Sequence, residues 1–286
     1  MIEAIILDVD GVIIGEKVGY NSPHPHMDVL MVLKKIRESK IPVILCTAKP
    51  HYAVSDIIDG AKLANPHITD AGAVIIDPID HAIVKQAIIE KSLARDVLGL
   101  LAKENVYVEF YTTEDYFLQE NKQSEITEKH NHILQRKPKL LLDIVGESIH
   151  YNITKIMPVA KDISDKQRVS EILQPFVGVF SISWGVHPVA LPFQFAIITA
   201  LGSSKKAAAQ EAIKSIGKQM ENVLGIGDTT SDWNFIEICG YAATLENGSD
   251  EIKNLIKQKG EGKYYIGKSV DENGILDVFN YFKIIA

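Results

Sequence analysis

Ile5-Ile6-Leu7-Asp8-Val9-Asp10-Gly11-Val12-Ile13 is the stretch on which the reading of this chain turns. Apolar β-formers run without interruption into two aspartates and a glycine, the pattern of a buried strand that delivers carboxylates to the rim of a sheet. Downstream, Val29, Val32, Leu33 and Ile36 recur at i, i+3, i+4 and i+7 and predict a helix. A second apolar run, residues 41–46, then stops at Thr47. Strand, helix and strand in that order imply a parallel pair, so Asp8, Asp10 and Thr47 all fall at carboxyl ends of strands, where open α/β sheets place their sites.

The bounds set by composition are broad. At 286 residues the chain is long enough for two domains and a sizeable core, and 46% hydrophobic with 23% charged residues is the balance of a folded protein. A net charge of −7 argues against a nucleic-acid-binding surface. Cys46 and Cys239 sit in apolar settings without metal-type spacing and read as reduced core thiols, which points to the cytoplasm. Glu3, Asp8 and Asp10 break any early apolar segment that a secretory signal would need. Residues 189–201, interrupted by Pro192 and Gln194, are too short to span a bilayer, so no membrane role is expected.

The parallel pattern continues with a helix over 52–62 and a strand over 73–76, and then changes near residue 80. A helix through Ile89, Leu93, Val97 and Leu100, a hairpin of 106–111 and 116–119, and strands over 153–157, 177–183 and 193–198 with a helix over 164–173 form a separate α+β module. Residues 121–139 receive no element. Its aromatic residues Tyr107, Phe110, Tyr111, Tyr116 and Phe117 fall at strand spacing and read as core and cross-strand pairs. The parallel pattern resumes with an alanine-rich helix over 205–220, a strand over 223–227 that runs into Asp228-Thr229-Thr230-Ser231-Asp232, a helix over 232–238, a strand over 241–245 and two final helices. The expected architecture is an α/β, Rossmann-like parallel-sheet core with helices on both faces, residues 1–80 and 195–286, and an inserted α+β cap, residues 81–194.

Strand ends and helix starts therefore offer Asp8, Asp10, Thr47, Lys205, Asp228 and Asp232. Crowded carboxylates call for a hard divalent cation with oxygen ligands, and magnesium, which typically takes one or two carboxylates plus a substrate phosphate, suits the set. A carboxylate beside such a cation can attack phosphorus, a neighbouring acid can protonate the leaving oxygen and then activate water, and a lysine and a hydroxyl can stabilise the phosphoryl oxygens. Lys206 competes with Lys205 for that role, and the spacing after Thr199, Gly202 and Ser204 favours Lys205. His24, His26, His130 and His132 lack accompanying ligands at zinc-like spacing and read as loop or surface histidines.

Asp8-Val9-Asp10-Gly11-Val12, Thr47, Ser204-Lys205 and Gly227-Asp228-Thr229-Thr230-Ser231-Asp232 resemble the four motifs of the haloacid dehalogenase-like phosphatases. The whole chain is similar to the Cof-type subfamily (class IIB), whose α/β cap lies between the second and third motifs. The resemblance implies that Asp8 is the nucleophile and Asp10 the general acid/base. Thr47 and Lys205 would hold the phosphoryl group, with Ala48 and Asn247 near the substrate. Magnesium would be bound by Asp8, the backbone carbonyl of Asp10 and Asp228, supported by Asp232. A small phosphorylated metabolite is the implied substrate, acted on by a monomer or homodimer.

Departures are visible. Thr47-Ala48-Lys49 stands where the family often has Thr-Gly-Arg, Thr229 and Ser231 replace a glycine and an asparagine in the fourth motif, and Ala196-Ile197-Ile198 replaces Leu-Glu-Ile. The segment 184–192 is longer than the family's turn. Two rival functions share these residues: a phosphosugar mutase, and a non-catalytic phosphometabolite-binding protein.

Overall fold

The computed structural model describes residues 1–79 and 82–285. The first elements are β1 (Ala4–Leu7), α1 (Met27–Glu38), β2 (Val43–Leu45), α2 (Ser55–Ala61), β3 (His67–Thr69), β4 (Val74–Ile76) and β5 (Ile83–Gln86). They are followed by α3 (Lys91–Lys103), β6 (Tyr107–Tyr111), β7 (Tyr116–Gln119), α4 (Glu125–Leu134), β8 (Lys139–Leu141), α5 (Ile144–Glu147), β9 (Lys155–Ala160), α6 (Ile163–Ile172), β10 (Phe180–Gly185) and β11 (Gln194–Ala200). The chain closes with α7 (Lys205–Ser215), β12 (Val223–Ile226), α8 (Thr230–Ile236), β13 (Tyr241–Leu245), α9 (Asp250–Ile256), β14 (Tyr264–Gly267) and α10 (Ile275–Tyr281).

Five parallel strands in the order β14-β13-β12-β1-β2 make the core sheet. All four residues of β1 are buried, because alternate side chains feed opposite faces and both faces are covered. Ile5 and Leu7 join Val29, Leu33 and Ile36 of α1 and Val278 and Phe279 of α10, whereas Ala4 and Ile6 join Ala208 and Ala212 of α7 and Phe235 of α8. The alanines of α7 let that helix lie close against the sheet. The helix ends at Ser215, short of the predicted 220, since Gly217 adopts φ +69 and turns the chain out of the helical conformation.

The insert carries a six-stranded sheet in the order β10-β11-β9-β6-β7-β8, antiparallel throughout except for the β7–β8 pair. One face packs on α3, α5 and α6 through Val97, Leu98, Leu101, Ile144 and Val169. The other carries Tyr111, Tyr116, Met157, Val159 and Phe195 beneath α4. The hairpin aromatics pair across strands as their spacing predicts, Phe110 stacking on Phe117 at 4.7 Å and Tyr111 on Tyr116 at 5.4 Å.

Several sequence expectations are corrected here. Residues 194–200 complete the cap sheet, with Phe195 opposite both Gly185 and Val159, so the return to the core comes after Ala200 and not at 195. Likewise β5, expected in the cap, pairs with β4 in a small antiparallel sheet with β3. The expected switch at residues 80 and 81 lies outside the described residues. Residues 121–139 contain α4 and β8. Ile126, His130, Ile133 and Leu134 do recur at helical spacing, but Thr127 and His130 are polar residues at buried positions and hide the stripe. His130 is no surface histidine: its Nδ1 lies 2.9 and 2.8 Å from the two oxygens of fully buried Glu109, which also accepts from the hydroxyls of Tyr107 and Tyr111 at 2.6 Å. The edge strand β14 also escaped the sequence reading, its tyrosines being only half-buried. Cys46 and Cys239 are free and buried, and no helix among the described residues is long and apolar enough to cross a membrane.

The link between β2 and β3 is polar. His67 is fully buried, and its Nδ1 accepts a hydrogen bond from the Leu45 amide at 3.0 Å. Burial lowers its pKa from 6.5 to about 3, so the ring stays neutral in the fold. Below pH 6.5 the unfolded chain binds a proton that the folded chain refuses, and stability falls by about 1.4 kcal/mol per pH unit until the folded ring titrates. His67→Asn, whose Oδ1 can replace Nδ1 as acceptor, should flatten this acid slope. Urea midpoints measured from pH 7 to pH 4 test it; parallel curves for the two proteins would contradict the assignment.

Candidate active site

The carboxyl ends of β1 and β12 deliver two acidic loops to one point. Asp8 directly follows β1, and the chain then turns at Gly11 with φ +76. A Cβ on Gly11 would lie 2.0 Å from Asp228 Oδ2, so the glycine is what lets the two loops approach. Asn247 holds this turn, donating to the Gly11 carbonyl at 2.8 Å and accepting from the Val270 amide at 2.8 Å. Both ends of its side-chain amide are hydrogen-bonded to backbone, and it braces the loop after β1. At the opposite wall Gly72, φ +97, packs where a Cβ would meet the Ser204 carbonyl at 2.3 Å. That close approach seats the start of α7, where Ser204 caps the helix and Lys205 is its first residue.

Lys205 Nζ donates to Asp232 Oδ1 at 2.7 Å and stands 3.1 Å from Asp8 Oδ1. The latter contact is close enough for an ion pair but is not aligned as a hydrogen bond, which leaves the buried Asp8 Oδ1 without a donor. Asp232 is fully buried, and its Oδ2 accepts from the amides of Asp228 and Thr229 at 3.2 and 3.1 Å and from the Thr229 hydroxyl at 3.0 Å. Both of its oxygens therefore have donors, and the residue buttresses Lys205 and the loop 228–232. Lys206, the rival of Lys205, is half-exposed and pairs with Glu237 at 3.2 Å.

Ligand oxygens of Asp8, Asp228 and Asp232 lie within 4.8 Å of one another. Burial and then Asp232 push the Asp8 carboxyl up to about 7 against the pull of Lys205, and burial with Asp232 and Asp8 pushes Asp228 up as well. Lys205 goes the other way: desolvation would lower its pKa, but Asp232 and Asp8 override that and raise it. The carboxylates thus remain under-compensated by the one lysine. An oxygen-seeking divalent cation fits this donor set, with Asp8 and Asp228 the side chains free to hold it.

Asp10 faces elsewhere. Its Oδ1 receives Lys49 Nζ at 2.7 Å and His187 Nε2 at 3.0 Å. Burial alone would raise this carboxyl, but Lys49 and His187 prevail and hold it well below the usual range. The side chain of Asp10 is thus engaged by Lys49 and His187 and stands apart from the Asp8, Asp228 and Asp232 cluster. Thr47 is buried, its main chain tied to Ile68 and Ala71 and its hydroxyl accepting from the Lys49 amide at 3.1 Å.

These groups line a cavity of about 260 Å³ between core and cap. Asp8, Asp10, Thr47, Ala48, Lys205 and Asp228 form its floor, and Ser181, Ser183, Gly185, Ile197 and Thr199 of β10 and β11 its roof. Three contacting residues escaped the sequence reading. Lys49 was visible only as a departure from a motif, and His187 only as part of a long segment. Lys155 of β9 is fully buried and donates from Nζ to the Ala48 carbonyl at 2.7 Å, 3.4 Å from Asp70 Oδ1. It fixes the cap against the Thr47 loop, a contact between residues more than a hundred positions apart that no local pattern announces.

Comparison with known proteins agrees with this architecture. Residues 5–279 match the haloacid dehalogenase-like hydrolases. The chain is 22% identical over 270 residues to Phosphatase YwpJ of Bacillus subtilis, covering 88% of this chain and 92% of that one. It is 20% identical to the 5-amino-6-(5-phospho-D-ribitylamino)uracil phosphatase YwtE of the same organism, covering 96% and 95%. Among solved structures, a haloacid dehalogenase-like hydrolase from Bacteroides thetaiotaomicron superposes over 100% of both chains with a TM-score of 0.80 at 17% identity. A subclass IIB sugar phosphatase of the same superfamily superposes over 99% of this chain and 100% of its own with a TM-score of 0.79, also at 17% identity. With the match running through both the core and the inserted cap, the chain belongs to the haloacid dehalogenase-like hydrolases.

Proposed function

We propose that this protein is a magnesium-dependent phosphatase that hydrolyses a small, hydroxylated phosphomonoester, a sugar phosphate or similar metabolite, through an aspartyl-phosphate on Asp8. The observation that carries the reading is the position of Lys205 Nζ, which bridges Asp8 and Asp232 at the floor of a cavity shared with Thr47 and Asp228. A nucleophile, a cation for the transferred phosphoryl oxygens, a hydroxyl donor and a metal-type acid pair thus converge on one volume, as phosphoryl transfer requires.

In the first half-reaction Asp8 attacks phosphorus, the bond to the leaving oxygen breaks, and that oxygen takes a proton that Asp10, a carboxylate while Lys49 and His187 hold it, has first accepted from the incoming phosphate monoanion. In the second, Asp10 takes a proton from water as the water oxygen bonds phosphorus and Asp8 is released. Lys205 and Thr47 neutralise and orient the phosphoryl oxygens. Magnesium, held by Asp8, Asp228 and the Asp10 carbonyl, would supply Lewis-acid stabilisation of the same charge. The functional division we propose follows the sheets: the core sheet with its helices carries the chemistry, and the insert with the six-stranded sheet covers the leaving group and excludes water. Buried free thiols support a reducing, cytoplasmic setting.

The roof favours a phosphatase over a mutase. Its residues Ser181, Ser183, Gly185, Val186, Ile197 and Thr199 offer hydroxyls and apolar surface, and the lysines that line the cavity, Lys205 and Lys206, both come from α7 of the core. A mutase that passes through a bisphosphate needs cations on the cap for the second phosphate, whereas a neutral polyol needs only such hydroxyls.

Three outcomes are expected. Asp8→Asn should lower p-nitrophenyl phosphate turnover by at least about 1,000-fold while leaving the urea midpoint in place; retention of a tenth of the activity would refute the nucleophile assignment. Chelation should stop turnover and added magnesium restore it, and activity indifferent to chelator would reject the metal assignment. In a panel assayed by phosphate release, neutral sugar monophosphates should exceed sugar bisphosphates in kcat/KM by roughly tenfold or more. Preference for bisphosphates, or isomerisation without phosphate release, would favour the mutase.

A further inference from the structure

His187 belongs to none of the motifs, yet it touches the centre of the site. It sits in the segment between β10 and β11, is only 7% exposed, and places Nε2 at 3.0 Å from Asp10 Oδ1. Its other nitrogen, Nδ1, accepts from the Val189 amide at 3.2 Å, which places the ring proton of the neutral form on Nε2 and makes His187 the donor to Asp10. The segment is itself fastened. The Ala190 amide closes a turn onto the His187 carbonyl at 2.9 Å, and Ala190 is fully buried in the cluster with Ile133 and Phe195.

The two sides of Asp10 differ. One side opens into the catalytic cavity, where His187 is not among the lining residues; the other borders a smaller hollow of about 100 Å³ that His187 does line, with Lys49, Met157 and Phe195. Lys49, from the core, and His187, from the cap, both take Oδ1. Oδ2 is the oxygen left for proton exchange.

We propose that His187 is a positioning residue for Asp10: with the cap seated, its Nε2–H pins Oδ1 and turns Oδ2 toward the leaving oxygen. The proposal rests on the phosphatase reading above and deepens it. The reaction's atoms are unchanged, since the leaving oxygen still receives its proton from Asp10. What His187 adds is the orientation of the carboxyl, available only when the cap is in place, so that leaving-group protonation and cap seating become one event. A charge-assisted hydrogen bond shielded from water is suited to that task.

The leaving group separates this role from a merely structural one. A nitrophenolate departs without a proton, whereas an alkoxide does not, and kcat/KM reports only the steps through departure of that group. His187→Leu keeps bulk and removes the donor; His187→Ala serves if that variant does not fold. His187→Gln can place an amide N–H near the position of Nε2. We expect His187→Leu to lower kcat/KM for a simple alkyl phosphomonoester by about 30-fold and for p-nitrophenyl phosphate by no more than about threefold, with His187→Gln restoring most of the alkyl activity. Equal losses on both esters, no loss on either, or failure of His187→Gln to recover the alkyl reaction would overturn the proposal. Asp8→Asn in the same assays keeps the two claims apart: wild-type enzyme that releases no phosphate from any ester fails the phosphatase reading, whereas active wild type with uniform His187 effects fails only the positioning role.

Discussion

The site depends on the repulsion among three acids and its partial relief by one lysine. Asp8, Asp228 and Asp232 present oxygens within 4.8 Å of each other at the end of a parallel sheet. A pair of like charges at that range repels by on the order of 4 kcal/mol in a partly screened protein setting, enough to unfold a marginal domain if left unanswered. Lys205 answers Asp232 most directly, and three further donors converge on the remaining oxygen of Asp232. That leaves Asp8 and Asp228 as the under-satisfied pair, the two to which the proposed function gives the cation and, for Asp8, the attack on phosphorus. Two glycines make the crowding sterically possible, Gly11 against Asp228 and Gly72 against Ser204.

Around this charge centre the cap is fixed by polar contacts with specific geometry. Lys155 reaches the carbonyl of Ala48, and His187 reaches Asp10. Each ties a cap strand or loop to a core loop that lines the cavity, so displacement of the cap breaks hydrogen bonds at the cavity itself. The cap is in turn rigid where it supports these residues: Glu109 is fully buried yet receives His130 and two tyrosine hydroxyls, a network satisfied on every side that fastens α4 to the sheet. The roof of β10 and β11 turns its alternating serines and threonine to the cavity, while Ile198 and Ala196 pack into the cap core.

How much could be read from the chain alone follows from how local each signal is. Buried parallel strands are continuous apolar runs, and a strand that ends in Asp8 and Asp10, or in Asp228, states both its burial and its polarity change within a few residues. Those signals placed the core sheet, the cap insertion, and the convergence of Asp8, Thr47, Lys205 and Asp228. Helix α4 was hidden because its buried face includes Thr127 and His130, polar residues satisfied only by partners far along the chain. Strand β3 is three residues long with two polar side chains, β5 is exposed throughout, and the edge strand β14 has half-buried tyrosines, so none of them reads as a buried apolar run or a clean alternation. Asn247 was legible as a site-proximal residue but not as a backbone brace, since its partners Gly11 and Val270 become its neighbours only in the fold. His187 carries no sequence signal that separates it from ordinary polar residues, and Lys155, although its stretch Ile153-Thr154-Lys155-Ile156 resembles the family's cap, shows nothing there of its contact with Ala48.

The central claim is that Asp8 carries the phosphoryl group between substrate and water. Rapid acid quenching of the enzyme during turnover of p-nitrophenyl phosphate, followed by mass spectrometry of its peptides, tests this directly. The expected result is the added mass of one phosphoryl group on the peptide containing Asp8, lost on treatment with hydroxylamine and missing from Asp8→Asn. A phosphoryl group on another residue, or steady turnover by Asp8→Asn with no phosphorylated peptide, would contradict it.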